Sequence, residues 1–357
     1  MGLTLGWYYH LPPCAGAEEV AATVDDSLQL LLQAHREQGA PVVLAVTGSL
    51  LERIAETRPA CLDLLREAVE AGHVQSLACT FHEVCPFLVP PRYLRLQIER
   101  DLATKERLLG RRPTAFWPGN LAWAPVLGML LRECGLRTTI VGETHLREAQ
   151  QTQLWQWLQG NAAHMGSVLV DTLGDDPLEG RRFALELEGG ARLRLVMASS
   201  GLRGALSFGT QGAIHHAWDD APVDAAVRDL RARGARWQAF SGDDGDRINP
   251  VSIHPYRRLL AGLGPILAGL GAADEDDAEV MEFLPAHAPG GIAFWQDDTA
   301  AAWLRLLDEV YRAADAGVVG VDDVLALQDV FPLFWKRSAR TRWFHERAWS
   351  LASRMAG

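Results

Sequence analysis

Short apolar runs alternate with longer amphipathic stretches through the first part of the chain. Leu3–Tyr9 reads as a buried strand stopped by His-Leu-Pro-Pro. Val24–Gln38 carries apolar residues at helical spacing and stops at Gly39, and Pro41–Thr47 is a second strand closed by Gly48. Leu50–Glu56 and Ala60–Ala71 read as helices, the latter capped by Gly72. Val74–Thr80 is a third strand, Tyr93–Leu109 a helix, Thr114–Trp117 a fourth strand, Ala124–Cys134 a helix and Arg137–Val141 a fifth strand. Such alternation predicts parallel strands joined by crossover helices, and its intervals predict a closed or nearly closed α/β barrel.

Farther along, the pattern loosens. Phe183–Glu188 and Arg192–Ala198 flank Gly189-Gly190 and predict a hairpin. Val223–Arg233 is a helix, and Arg236–Phe240 a strand leading into Ser241-Gly-Asp-Asp-Gly-Asp246. Val280–Leu284 is the last predicted strand, and the chain from about Thr299 onward reads as helical. The expected organisation is a barrel over residues 1–295 and a helical region over 296–357. Phe331–Met355 is rich in Trp and Arg; a helix burying Trp335, Trp343 and Trp349 against the barrel is the plain expectation. A basic, aromatic face for a partner protein is the rival.

Composition narrows the function. The 357 residues are 48% apolar and 22% charged, as in a globular chain. Lys and Arg number 34 against 45 Asp and Glu, a net charge of −11, which argues against nucleic acid or an anionic membrane as partner. No basic-then-apolar leader opens the sequence and no apolar stretch approaches the roughly 20 residues of a membrane span, so a cytoplasmic protein is expected. The five cysteines are scattered without a CxxC pair, which predicts reduced, mostly buried thiols. His215-His216 is the only adjacent histidine pair, and HxxxH and HExxH spacings are absent; no metal and no cofactor are expected.

In a barrel of this kind chemistry gathers just past the strands' C-terminal ends. The polar residues there are His10, Thr47, Phe81-His82-Glu83, Trp117-Pro-Gly-Asn120, Gly142-Glu-Thr-His145 and Asp243-Asp-Gly-Asp246. His10 could bond a backbone carbonyl or meet a ligand. Glu83 could cap a turn or accept a substrate hydrogen bond. The Asp243–Asp246 acids could form an exposed turn or supply a general acid; they lack the distal Glu of an EF-hand loop. Among twelve tryptophans, Trp117 and Trp123 flank Asn120 symmetrically, while Trp7, Trp155, Trp157, Trp218 and Trp295 fall near loops or strand ends. Most tryptophans are core residues, but sugar CH faces stack on such rings while hydroxyls bond acids and amides. An acidic, Trp-rich mouth suits a neutral carbohydrate.

Taken in order, GWYYHLPP, VTGSLLERI, GHVQSLACTFHEVCP, FWPGNLAWAP, IVGETH and SGDDGDRIN resemble glycoside hydrolase family 57, whose α-amylase-like and 4-α-glucanotransferase-like members act on α-glucans. The likeness runs from about residue 3 to about residue 300. It implies an incomplete (β/α)7 barrel with a C-terminal helical region. His10-Leu11-Pro12 keeps the His and Pro of the family's His-Gln-Pro, and His82-Glu83 partly matches its aromatic-Glu-Pro segment. The family's Trp-x-x-Glu-x-x-Trp-x-Pro appears here as Trp117-Pro-Gly-Asn120-Leu-Ala-Trp123-Ala-Pro125, with Asn120 at the nucleophile position. Asp244-Gly245-Asp246 resembles the acid/base segment; Asp244 takes that role, with Asp243 as fallback. The substrate contacts implied are His10, Glu83, Trp117, Trp123, Asp243 and Asp246.

A retaining glycosidase needs a carboxylate about 5–5.5 Å from its acid, and an amide cannot attack as an anion. The expectation is therefore a protein that recognises α-glucan or a related oligosaccharide with impaired or absent glycosidase activity. An active hydrolase or 4-α-glucanotransferase borrowing a displaced carboxylate, Glu83 or Glu143, is the first alternative. A metal-dependent polysaccharide deacetylase-like hydrolase, with His10 and His215-His216 in its favour, is the second. Oligomeric state leaves no signature in the sequence.

Overall fold

Strand β1 (Leu3–Tyr9) is buried at every position, because it has a parallel neighbour on each edge and apolar packing on each face. Its odd residues Leu3, Leu5, Trp7 and Tyr9 join the cluster built by the surrounding helices, while Tyr8 joins Val43, Ala45, Leu77, Cys79 and Trp117 on the opposite face. The computed structural model describes residues 2–150, 178, 181–199, 221–234, 239–245, 248–271, 278–287, 298–334 and 339–355. Trp155, Trp157, Trp218, Trp295, Trp335, His215, His216 and Asp246 lie outside the described residues.

The remaining strands are β2 (Val42–Val46), β3 (Val74–Ser76), β4 (Ala115–Phe116), β5 (Thr138–Gly142), β6 (Phe183–Glu186), β7 (Arg192–Ala198), β8 (Ala239–Asp244) and β9 (Glu279–Met281). They form one sheet in the order β3-β2-β1-β8-β7-β5-β4, parallel throughout, with β6 antiparallel to β7 and parallel to β9. β6 and β7 are the predicted hairpin. A single parallel bridge links the two ends of the order: Ala78 donates to the Ala115 carbonyl, and Trp117 N–H donates to the Ala78 carbonyl, both at 2.8 Å.

Helices α1 (Ala17–Thr23), α2 (Gln29–Gln38), α3 (Gly48–Thr57), α4 (Pro59–Glu70), α5 (Pro91–Leu109) and α6 (Pro125–Glu133) fall between the first five strands, as the periodicity predicts. The first of them begins ahead of Val24, because Glu19 accepts the Gly16 N–H at 2.9 Å and a π-helical turn over Val24–Leu28 carries the helix on. Farther along, Trp303, Leu307, Leu325 and Phe344 share one apolar cluster with Ile98, Phe116, Trp123 and Leu131.

Four expectations need correction. Among the described residues the sheet does not close: its end strands β3 and β4 meet through the isolated Ala78–Phe116 bridge rather than a ladder. The strand expected over Val74–Thr80 ends at Ser76, where the chain leaves β2 for that bridge. The strand expected to end at Phe240 continues to Asp244, since Ser241, Gly242, Asp243 and Asp244 stay in register with Leu5, Gly6, Trp7 and Tyr8 of the buried β1. Pairing with a central strand outweighs the low strand propensity of Gly and Asp. In the helix Ala339–Ala352, Trp343 and Trp349 are 37% and 70% exposed rather than buried. Thr341, Phe344, Ala348 and Leu351 take the inward face instead, at the spacing one helix stripe allows.

A buried relay ties β1 to α2 and to the helix Ile253–Leu263. Trp7 Nε1–H donates to the Tyr256 hydroxyl at 2.8 Å, and that hydroxyl sits 2.6 Å from His35 Nε2. The other ring nitrogen of His35 donates to the Ala40 carbonyl at 3.0 Å, so Nε2 accepts from Tyr256. Burial pushes the His35 imidazole down to about 4, in keeping with a neutral ring. Tyr256→Phe leaves the indole donor and the imidazole acceptor unpaired, an expected loss of about 1–3 kcal/mol readable by urea unfolding. A loss below about 0.5 kcal/mol would mean that the relay contributes no net stability.

Among the described residues no helix is long and apolar enough to cross a membrane. Cys61, Cys79, Cys85 and Cys134 are buried free thiols, and Cys14 is partly buried.

Candidate functional site

Three segments converge past the ends of β1, β3 and β4. His10 directly follows β1, Glu83 lies in the loop after β3, and Asn120 lies in the turn after β4. Asn120 Nδ2 donates to Glu83 Oε1 at 2.8 Å. Glu83 Oε2 lies 3.4 Å from His10 Nε2, and the same nitrogen lies 3.4 Å from Asp329 Oδ2. Glu83 is 8% exposed and Asp329 is fully buried.

Asn120 (φ 52°, ψ 20°) and Leu121 (φ 53°) both adopt left-handed backbone conformations, which Asn tolerates better than most residues. The double turn swings the amide toward Glu83. At Gly119 the requirement is space: a Cβ would stand 2.7 Å from Glu83 Cγ and 3.2 Å from the Tyr8 hydroxyl. That hydroxyl is buried without a hydrogen-bond partner among the described residues, and burial raises its pKa well above the usual phenol range.

The Glu83 loop is gripped from below by α5. Asp101 accepts the Cys79 N–H at 2.9 Å and the Lys105 ammonium at 2.6 Å, with all three residues buried. Gln97 accepts Phe81 N–H through its carbonyl at 3.0 Å and His82 N–H through Oε1 at 2.9 Å. His82 is pushed down to about 3 by burial, reinforced by its neighbours His10, Arg100 and Arg53, and is neutral. From above, Val330 N–H donates to the Glu83 carbonyl at 2.9 Å.

Trp117 is 5% exposed and meets the Tyr8 ring edge-on at 5.8 Å. Trp123 is 1% exposed, and its backbone exchanges hydrogen bonds of 2.8 and 3.0 Å with His287. His287 stacks on His145 at 4.6 Å and bonds Glu148 through Nδ1 at 2.9 Å. Glu143, the other displaced carboxylate considered above, pairs with Arg147 at 2.9 Å. Asp243 and Asp244 close β8 opposite Trp7 and Tyr8, and their side chains lie outside the described set. Trp7 is fully buried in the helix-side cluster. No three His, Cys, Asp or Glu side chains among the described residues are grouped to hold a metal ion.

The arrangement brings two carboxylates, an imidazole and a neutral amide together, with the Asn120 amide hydrogen-bonded to Glu83. Residues 25–172 match glycosyl hydrolase family 57. The matched stretch holds Glu83, Asn120 and both flanking tryptophans, while His10 and Asp329 lie outside it. Within the chain, 105 residues are 33% identical to the 4-α-glucanotransferase of Thermococcus litoralis, covering 29% of this chain and 16% of that protein. A stretch of 110 residues is 26% identical to the α-amylase of Pyrococcus horikoshii, covering 30% and 17%.

The family-57 likeness extends to the fold. A GH57 branching enzyme from Thermococcus kodakaraensis superposes with a TM-score of 0.69 at 14% identity, over 98% of this chain and 88% of that one. The T. litoralis 4-α-glucanotransferase structure gives 0.63 at 18% identity over 89% of this chain, which spans 45% of that enzyme.

Sequence reasoning missed Asp329. Its signal is faint: an acid inside Leu325-Ala-Leu-Gln-Asp-Val-Phe-Pro-Leu-Phe334, a run otherwise apolar apart from Gln328. A carboxylate surrounded by so much apolar sequence needs a polar partner once buried.

Proposed function

We propose that this chain is a family-57-type carbohydrate-active protein that binds α-glucan or a related oligosaccharide at the His10–Glu83–Asn120 cluster, with retaining glycosidase activity impaired or absent. The observation that carries the reading is the 2.8 Å hydrogen bond from the Asn120 amide to Glu83. It keeps a neutral donor at the nucleophile position and leaves Glu83 as the acceptor for substrate hydroxyls. Relatives named 4-α-glucanotransferase and α-amylase point to α-glucans as the class.

In this reading the seven strands from β3 to β4 form an incomplete (β/α)7 barrel over residues 1–295, supported by the parallel bridge at Ala78. Residues 296–357 form a helical region that lends Asp329 to the site. Asp244 is the acid/base, favoured over Asp243 because it pairs with Tyr8, the β1 residue beside Glu83 and Trp117. His10 and Asp329 orient the Glu83 carboxylate. Trp117, Asp243 and Asp246 complete the proposed contacts, while the buried Trp123 supports the turn from the core rather than touching substrate.

Titration calorimetry with maltoheptaose, paired with product analysis on maltoheptaose and soluble starch, tests this. Saturable binding without shorter or transferred products is expected; robust turnover by the unaltered chain would sink it. A second reading, an active enzyme that borrows Glu83, is favoured by the same closeness of that carboxylate to position 120. It requires turnover that Asp244→Asn abolishes.

A further inference from the structure

The site is assembled from two segments far apart in sequence, and one buried side chain touches both. Gln97, on the inward face of α5, is fully buried. Its Oε1 accepts the His82 N–H at 2.9 Å, next to Glu83. Its Nε2 donates to the Leu325 carbonyl at 2.9 Å and to Gln328 Oε1 at 3.0 Å, next to Asp329. Oxygen and both amide hydrogens are thereby satisfied. Gln328 Nε2 in turn donates to the Tyr311 hydroxyl at 3.2 Å, which carries the chain of bonds into the helix Asp298–Asp315.

The backbone contact between this segment and the Glu83 loop is short: it includes an antiparallel bridge, Val84 to Asp329, with the Val330 to Glu83 hydrogen bond beside it. The segment lies between the helices Val321–Leu327 and Phe331–Phe334, with Gln328 still helical (φ −78°, ψ −4°), and a one-residue slip would carry Asp329 away from His10 and bring Gln328 or Val330 into its place. Gln97 bonds a backbone carbonyl and a side chain of the same segment at once, and only one register satisfies both.

We propose that Gln97 is a positioning residue: it pins the 325–330 segment in the register that sets Asp329 against His10, and so completes the saccharide-binding cluster with a carboxylate from the helical region. The placement rests on geometry alone, while its effect on binding rests on the saccharide reading above.

Gln97→Met keeps the shape and removes the bonds. The test has a ligand-free arm and a ligand arm, both on the full chain. In the first, the pH midpoint of the His10 ring is followed by NMR. A nearby carboxylate favours the charged imidazole, so Asp329→Asn is expected to move the midpoint to lower pH. Gln97→Met should move it the same way, and should add nothing in the Asp329→Asn background. In the second arm the Kd for maltoheptaose should weaken about three- to tenfold in Gln97→Met, the size of one or two lost hydrogen bonds.

If Gln97→Met leaves the His10 midpoint in place, or shifts it equally with and without Asp329, the side chain is structural only and the proposal falls. A shifted midpoint with no saccharide bound even by the unaltered chain upholds the positioning and overturns the saccharide reading alone. Gln328→Met, which removes one of the three bonds, covers the case of an unstable Gln97 variant; it should shift the midpoint in the same direction and by less, and an unmoved midpoint would again refute the register argument.

Discussion

Lys105→Met is expected to destabilise the fold by about 3–5 kcal/mol, the usual penalty for removing one partner of a buried ion pair. The ammonium lies 2.8 and 2.6 Å from the two Asp101 oxygens and 3.2 Å from Cys79 Sγ, and neither charged side chain is exposed. Burial raises the Asp101 carboxyl above its ordinary range even with the ammonium in contact, so desolvation is the dominant force there. Without Lys105 the carboxylate must stay charged and unpaired, or take up a proton.

Asp101→Asn combined with Lys105→Met separates these effects. The amide oxygen can still accept the Cys79 N–H, and no charge remains to be buried. Urea unfolding should place the double variant closer to the unaltered chain than the single one. A single-variant loss under about 1 kcal/mol would show the pair to be energetically idle. Because Asp101 holds Cys79 and that loop carries Glu83, weakened saccharide binding should accompany the loss.

The residues of this grip illustrate what a sequence discloses. Asp101 and Lys105 are four apart on a helix, a spacing that by itself says nothing of burial; only the closeness of α5 to the Glu83 loop makes them core. The Trp117–Asn120–Trp123 frame was legible because it is local, and a motif of nine residues carries its own geometry. His10 and Glu83 were each visible as strand-end candidates, yet their meeting depends on β1, β2 and β3 lying side by side, a property of the whole sheet. Asp329 was missed because its partner lies hundreds of residues away in sequence. The strand–helix order emerged from periodicity, whereas the length of β8 did not, since its Gly and Asp residues take their conformation from β1. The exposed Trp343 and Trp349 make the complementary point. Aromatic residues announce burial by type, but the stripe of Phe344, Ala348 and Leu351 decides which way the helix faces.

On the proposed reading, Asn120→Glu is expected to raise turnover, with maltoheptaose yielding shorter or transferred oligosaccharides at least about 10³-fold above the unaltered chain. Loss of a nucleophile lowers turnover by up to about 10⁶-fold, so partial recovery is a modest demand. Physics also says why recovery should be incomplete. The new carboxylate replaces a donor lying 2.8 Å from Glu83 Oε1, so two like charges meet and one carboxyl must hold a proton or move away. Position 120 also has a left-handed backbone, φ 52°, where Glu is less at home than Asn. A stability loss on the order of 1–3 kcal/mol should therefore accompany the gain. Combining Asn120→Glu with Glu83→Gln relieves the repulsion, because an amide at 83 can donate to the new carboxylate. That pair should regain the part of the stability lost to repulsion, leaving the backbone cost at position 120. It will not be more active if Glu83 also holds substrate, and this separates relief of charge from loss of a contact. Activity absent in Asn120→Glu while maltoheptaose still binds would show that position 120 is not where a nucleophile acts in this chain. Activity already present before any substitution would assign the chemistry to another carboxylate, with Glu83 the first to replace.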